Sequence, residues 1–177
     1  MNNIISAKGN KVNLCAFRID EEAIKKYKKW LNEKETTRWM DKQSIMKFLV
    51  DQKNWLDAEI DKSKKKIKRF NIVTQKDILI GNCEINIDRH NISGRIGIFI
   101  EENERNKGYG TEVIKMMLNY GFNVANLYRM EIILNEEDKN AIRCFEKCGF
   151  KIVGILHNTH CYNNCFSNSV YMEILKS

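Results

Sequence analysis

The sequence predicts an α/β fold built on one mixed, mostly antiparallel sheet of about seven strands flanked by helices. Three observations carry this expectation. Short segments with β-branched residues and period-two alternation recur in two groups along the chain. Between the groups lies a long helical segment, apolar over so much of its circumference that it must be buried. The order of elements (strand, helices, three strands, helix, strand, helix, two strands) is not a regular βαβ array. The 177 residues contain no proline, low-complexity linker or internal repeat, so one domain, 1–177, is expected.

Each element has a local reason. KVNLCAF (11–17) alternates as a first strand. Asp20 is placed to cap a helix in which Ala23, Ile24, Tyr27, Trp30 and Leu31 share a face. Ser44 is placed to cap another, with Ile45, Phe48, Leu49, Trp55, Leu56 and Ile60 facing inward. RFNIVT (69–74) and DILIGNCEINID (77–88) read as an antiparallel hairpin, and GRIGIFIEE (94–102) puts Ile96, Ile98 and Ile100 on one face. The long helix covers 108–126, with Val113, Met117, Tyr120 and Val124 in one stripe. MEIIL (130–134) is a core strand, and 139–148 a helix with Ala141, Ile142, Phe145 and Cys148 on one side. Two strands near 150–161 and 166–175 follow.

Composition narrows the function classes. No apolar run reaches the roughly 18 residues of a membrane span. MNNIISAKGN lacks the basic start and apolar core of a signal peptide. A cytoplasmic protein with six reduced cysteines and no membrane partner is therefore expected. The net charge of +7 is uneven: residues 1–70 hold 18 Lys/Arg against 10 Asp/Glu. The Lys-rich stretch DKSKKKIKR (61–69) reads as a solvated surface or as attraction to an anionic partner. Without aromatic interleaving or a recognised motif, nucleic acid is not the expected partner. HNTHCYNNC (157–165), Cys144 and Cys148 raise a metal reading, but a strand sends successive side chains to opposite faces, so no metal site is expected.

The most specific chemistry lies in ENERNKGYGTEV (102–113). A strand ends, a loop with Gly108 and Gly110 follows, and a helix begins. Glycines let backbone amides converge on a ligand, and the helix start adds unpaired N–H groups and partial positive charge. That is a diphosphate site, with Arg105 and Lys107 as added charge.

Arg105-x-x-Gly108-x-Gly110, followed about thirty residues later by AIRCFEKCGF (141–150), resembles the GNAT superfamily of acetyl-CoA-dependent N-acetyltransferases, and within it the RimJ/RimL branch and spermidine acetyltransferase-like proteins. KWLNEKETTRWM (29–40), LNYGFNVANLYRMEIIL (118–134) and GFKIVGIL (149–156) fit the same pattern, so the resemblance covers nearly the whole chain. It implies a sheet splayed in the middle after the strand ending near Ile100. Acetyl-CoA would lie in the cleft, paired to the backbone of Phe99 and Ile100. Arg105, Asn106, Lys107, Gly108, Tyr109, Gly110 and Thr111 would hold its diphosphate, and Asp138, Asn140 and Phe145 would flank the pantetheine. The amine would enter from the side of the N-terminal helices and last hairpin, past Trp39, Met40, Glu84 and Tyr162.

Three positions depart from the family pattern. Asp138 stands where Asn is common, Arg95 where a Glu is usual, and Phe145 where a Tyr commonly protonates the leaving thiolate. A thiolate with a reference pKa of about 8.5 leaves without full protonation, so loss of the Tyr does not abolish the reaction. Tyr162 and Tyr120 are alternative donors. Glu84 is the first candidate general base, through a water, and Glu101 the second. The expected acceptor is a protein or peptide α-amine, for which a ribosomal protein suits the basic surface. A nucleotide-linked amino sugar, an aminoglycoside, a polyamine and a non-catalytic acyl-CoA-binding role are the alternatives. A monomer or homodimer is expected.

Overall fold

The computed structural model describes residues 4–18, 20–32, 67–162 and 165–177. Eight strands form one sheet in the order β1-β2-β3-β4-β5-β6-β8-β7. They are β1 (Ile5–Lys8), β2 (Val12–Ala16), β3 (Ile67–Thr74), β4 (Leu79–Asp88), β5 (Ser93–Ile100), β6 (Arg129–Asn135), β7 (Lys151–Tyr162) and β8 (Cys165–Leu175). Among the described residues, three α-helices accompany them: α1 (Glu21–Asn32), α2 (Tyr109–Asn119) and α3 (Lys139–Lys147). The eighth strand is β1, whose short, largely exposed ISAK segment lacks the apolar alternation that marks the others. The helix expected over 108–126 is regular only to Asn119; Tyr120–Val124 continue as a π turn and Asn126 turns left-handed. The Ser44-capped helix lies outside the described residues.

Neighbouring strands are antiparallel except β5 and β6, which run parallel. Their contact is short: Ser93 faces Arg129, Gly94 faces Met130 and Arg95 faces Glu131. Beyond Arg95 the two strands part, while β4 stays paired to β5 as far as Ile100 and β8 stays paired to β6 as far as Asn135. The sheet therefore opens in a V whose vertex is the Arg95–Glu131 pair.

Alternation assigns the two faces. Cys83, Ile85 and Ile87 of β4 and Ile96 of β5 point to one side, where Val113, Ile114 and Met117 of α2 and Ile142 and Phe145 of α3 complete the core. Each such apolar side chain contributes about 1.5–3 kcal/mol when fully buried. The other face carries Asn82, Glu84, Arg95, Gly97 and Phe99, and α1 packs on it. Trp30 of α1 is buried between Tyr27 and Phe99, with ring centroids 5.1 and 5.0 Å away. Asp20 caps α1 through the Ala23 N–H, as its sequence position predicted. Among the described residues, no helix is long and apolar enough to cross a membrane.

Candidate active site

The open edge of β5 is the first element of the site. The Glu101 N–H donates to Ile80 O at 2.8 Å, so odd-numbered residues of β5 turn their backbone groups to β4. The even-numbered Ile98 and Ile100 therefore turn theirs into the gap. This corrects the expected pair Phe99 and Ile100: strand alternation gives the Phe99 backbone to β4, and Ile98 takes its place on the open edge. The Arg105 Nε donates to Ile100 O at 3.0 Å, tying the loop to the end of the strand.

The second element is the start of α2. Gly108 is its N-cap residue with φ 84°, a left-handed conformation that strains any residue with a Cβ. The first bond into the helix runs from the Glu112 N–H to Gly108 O at 3.3 Å. The N–H groups of Gly108, Tyr109, Gly110 and Thr111 find no acceptor among the described residues, as helix geometry dictates. They line a cradle of the kind suited to an anion.

Of the charges expected at that cradle, Arg105 donates one N–H to the Ile100 carbonyl and Lys107 turns to Glu104 at 3.0 Å on an exposed surface. Lys11, from the β1–β2 turn, instead reaches the loop: its Nζ donates to Lys107 O at 3.0 Å, and a Cβ on Gly108 would lie 2.9 Å from it. The Glu112 carboxylate accepts the N–H groups of Asn10 and Lys11, fixing that turn against the first turn of α2. Sequence reasoning missed Lys11 because 96 residues separate it from its partner.

Helix α3 closes the core-side wall. Asp138 caps it by accepting the Ala141 N–H at 3.0 Å, while Asn140 is exposed on its first turn. Cys144 approaches Thr111 at 3.3 Å, and Cys148 donates to Thr111 O at 3.6 Å. Burial pushes the Cys148 thiol up to about 11, reinforced by neighbouring Cys144, so it stays protonated near neutrality. Phe145 is 1% exposed and meets Phe150 edge-on at 5.0 Å.

The opposite wall holds the ionisable groups. Glu84, from β4, leans over Gly97 of β5 and is held by Arg69 at 2.6 Å. Glu101 sits between Lys29 at 3.0 Å and Lys26 at 3.8 Å, which makes it an anchor for α1. Tyr120 packs edge-on against Phe70 at 5.5 Å, about 15 Å along the helix from the cradle. Trp39, Met40 and the side chain of Tyr162 lie outside the described residues.

At the vertex, Glu131 is surrounded by donors. Arg95 Nε and Nη2 lie 3.0 and 2.9 Å from its Oε1. The Tyr171 hydroxyl donates to Oε2 at 2.6 Å, and Arg129 lies 3.2 Å from the same oxygen. Burial alone would raise the Glu131 carboxyl, but the Tyr171 and Arg95 hydrogen bonds and the two guanidinium charges outweigh it and hold it below its ordinary value. Tyr171 is raised by burial and by the carboxylate it faces.

Comparison with known proteins agrees with this arrangement. Spermidine N(1)-acetyltransferase of Escherichia coli (strain K12) is 33% identical over 79 residues, 45% of this chain and 42% of the relative. The enzyme of that name from Vibrio cholerae is 29% identical over 111 residues, 62% of this chain and 64% of the relative. The chain thus spans less than two thirds of the length of these curated relatives. A crystal structure of spermidine N-acetyltransferase from Vibrio cholerae in complex with CoA and spermine superposes with a TM-score of 0.78 at 21% identity, covering 93% of this chain and 95% of that one. A structure described as a probable acetyltransferase gives 0.81 at 16% identity, covering 96% of both. A family model of the acetyltransferase (GNAT) domain matches residues 11–151, from β2 through the glycine loop to the start of β7, and the chain belongs to that family.

Proposed function

We propose that the protein is an N-acetyltransferase that moves an acetyl group from acetyl-CoA directly to a primary amine in a ternary complex. The observation that carries this reading is the gap between β5 and β6, edged by the backbone of Ile98 and Ile100 and leading to the unpaired N–H groups at the start of α2. A pantetheine arm is an extended chain of amides, so it fits such an edge as a surrogate strand. A diphosphate fits the cradle, with Lys11 beside it.

The roles follow from position. N–H groups on the open edge are the donors available to polarise the thioester carbonyl. Glu84, held over Gly97, is the base that takes the proton of the attacking amine, directly or through a water. As the C–N bond forms, the C–S bond breaks and the CoA thiolate departs. Phe145 offers no proton, and a leaving thiol of reference pKa about 8.5 makes that tolerable.

The acceptor best supported is an α-amine of a peptide or protein. Each of Glu84, Glu101 and Glu131 on the amine side is already matched by Arg or Lys, a poor setting for a naked polycation. An α-amine, with a pKa of about 7.7–8.0 against about 10.4 for an alkyl amine, also yields its proton more readily. A polyamine is the second reading, favoured by the names of the relatives. Thiol release from acetyl-CoA separates the two when peptides with free N-termini, spermidine, spermine and amino sugars are compared. Turnover with the polyamines alone would overturn the α-amine reading. CoA binding without turnover on any amine would replace the transferase with a binding module.

A further inference from the structure

Beside the vertex of the V, on the amine side, the sheet holds a hollow of about 900 Å³ whose lining includes Asn86, Arg89, His90, Arg95, Arg129 and Tyr171. Its carboxylates are committed. Asp88 accepts from the His90 and Asn91 backbone N–H groups and from the Asn91 side chain. Both oxygens of Glu131 are engaged, Oε1 by Arg95 and Oε2 by Tyr171 and Arg129. An ammonium group entering here meets, in Glu131, a carboxylate whose charge is already matched by two guanidinium groups.

The cations are in the reverse position. A guanidinium carries five N–H donors; Arg95 gives its Nε–H to Glu131 and holds Nη2 2.9 Å from the same oxygen. Its side chain is still 55% exposed and that of Arg129, whose Nη1 also lies 4.0 Å from a Glu173 carboxylate oxygen, 39%. Arg89, also on the lining, has no ion pair among the described residues. Glu131 thus acts as a fixed post that aims two guanidinium groups at one space. Arg95 and Gly97 lie two residues apart on one face of β5, about 7 Å. Since Glu84 leans over Gly97, the proposed base and the guanidinium pair are separated by a few bonds' length of substrate.

We infer that Arg95 and Arg129 form an anion subsite and that the acceptor is a primary amine carrying a carboxylate or phosphate a few bonds from its nitrogen. This rests on the acetyl-transfer reading above: among the α-amines favoured there it selects those with an acid group nearby, as in a dipeptide, and a phosphate-bearing alkyl amine is the alternative to them. Planar guanidinium groups held by a carboxylate are suited to paired hydrogen bonds with either acid.

The test compares matched acceptors: dialanine against dialanine amide, and phosphoethanolamine against ethanolamine. In the unaltered protein the acid member of at least one pair is expected to have the higher kcat/KM, by about tenfold or more, as charge-assisted hydrogen bonds give. The pair showing the preference identifies carboxylate or phosphate. Arg129→Gln, which leaves the Arg95–Glu131 pair in place, and Arg95→Gln are each expected to bring that ratio close to one. Equal kcat/KM within both pairs, or a ratio unchanged in both variants, would overturn the inference while leaving acetyl transfer intact. If no amine is acetylated, calorimetric titration with N-acetyl-dialanine, its amide and N-acetylphosphoethanolamine in the presence of CoA still reads the subsite. Binding of an acid that Arg129→Gln weakens supports it, and no binding of either acid refutes it.

Discussion

The Glu84 side chain lies across Gly97: a Cβ on Gly97 would come 3.0 Å from the Glu84 Cγ and 3.5 Å from Oε1. The space left by a missing side chain on β5 is what lets a carboxylate from β4 lean towards the open edge.

Glu84→Gln is therefore expected to lower kcat by about 10²–10⁴-fold, the usual contribution of a general base. CoA affinity, read by calorimetry, should be unchanged. Gly97→Ala should lower kcat as well, by a smaller factor, because the added methyl displaces Glu84 without removing it. A Glu84→Gln enzyme as fast as the parent would assign the base elsewhere.

Lys11 joins the β1–β2 turn to the glycine loop. Lys11→Ala is expected to raise the Kd for CoA by about tenfold, the scale of one charge-assisted hydrogen bond. Gly110→Trp, which places an indole beside Cys144 and Ile100, should abolish CoA binding. Retained affinity in the Gly110 variant would refute the placement of the cofactor.

By resemblance, Phe145 stands where the family commonly has a tyrosine, without its hydroxyl. Phe145→Tyr is expected to raise kcat by returning a proton donor to the leaving sulfur. The ligand-free protein should also lose about 1–3 kcal/mol in urea unfolding, because the added hydroxyl enters an apolar site. An unchanged kcat would mean that another group supplies the proton.

Glu131 gives the fold a pH dependence of definite sign. Its folded-state carboxyl is held below the ordinary value, so its contribution is present above that value and is lost as pH falls through the folded one. Thermal melts between pH 7 and 3 should show a Tm decline that Glu131→Gln makes shallower. The glutamine variant should be less stable at pH 7, where Arg95 and Arg129 lose their partner. Parallel declines in the two proteins would show that other carboxylates dominate.

The alternation of Ile96, Ile98 and Ile100, the Asp20 cap and the Gly108 loop were legible because each depends on residues close in sequence. The short β1 was not, since ISAK gains its place only by pairing with β2. The divergence of β5 from β6 came from family resemblance, because where two strands separated by a helix stop pairing is a tertiary property. The same holds for Lys11 on the loop, Glu84 over Gly97, and Arg95, Arg129 and Tyr171 around Glu131. Apart from Arg129, two residues from Glu131 on β6, those contacts join residues 13 to 96 positions apart, farther than any local pattern reaches.

The account turns on whether a thioester held in the V is attacked by an amine. Purified protein, acetyl-CoA and a panel of α-amines, polyamines and amino sugars, followed by release of free thiol, test this most directly. Amine-dependent thiol release is predicted, strongest with an α-amine. No release with any amine, while calorimetry shows CoA bound, would contradict it.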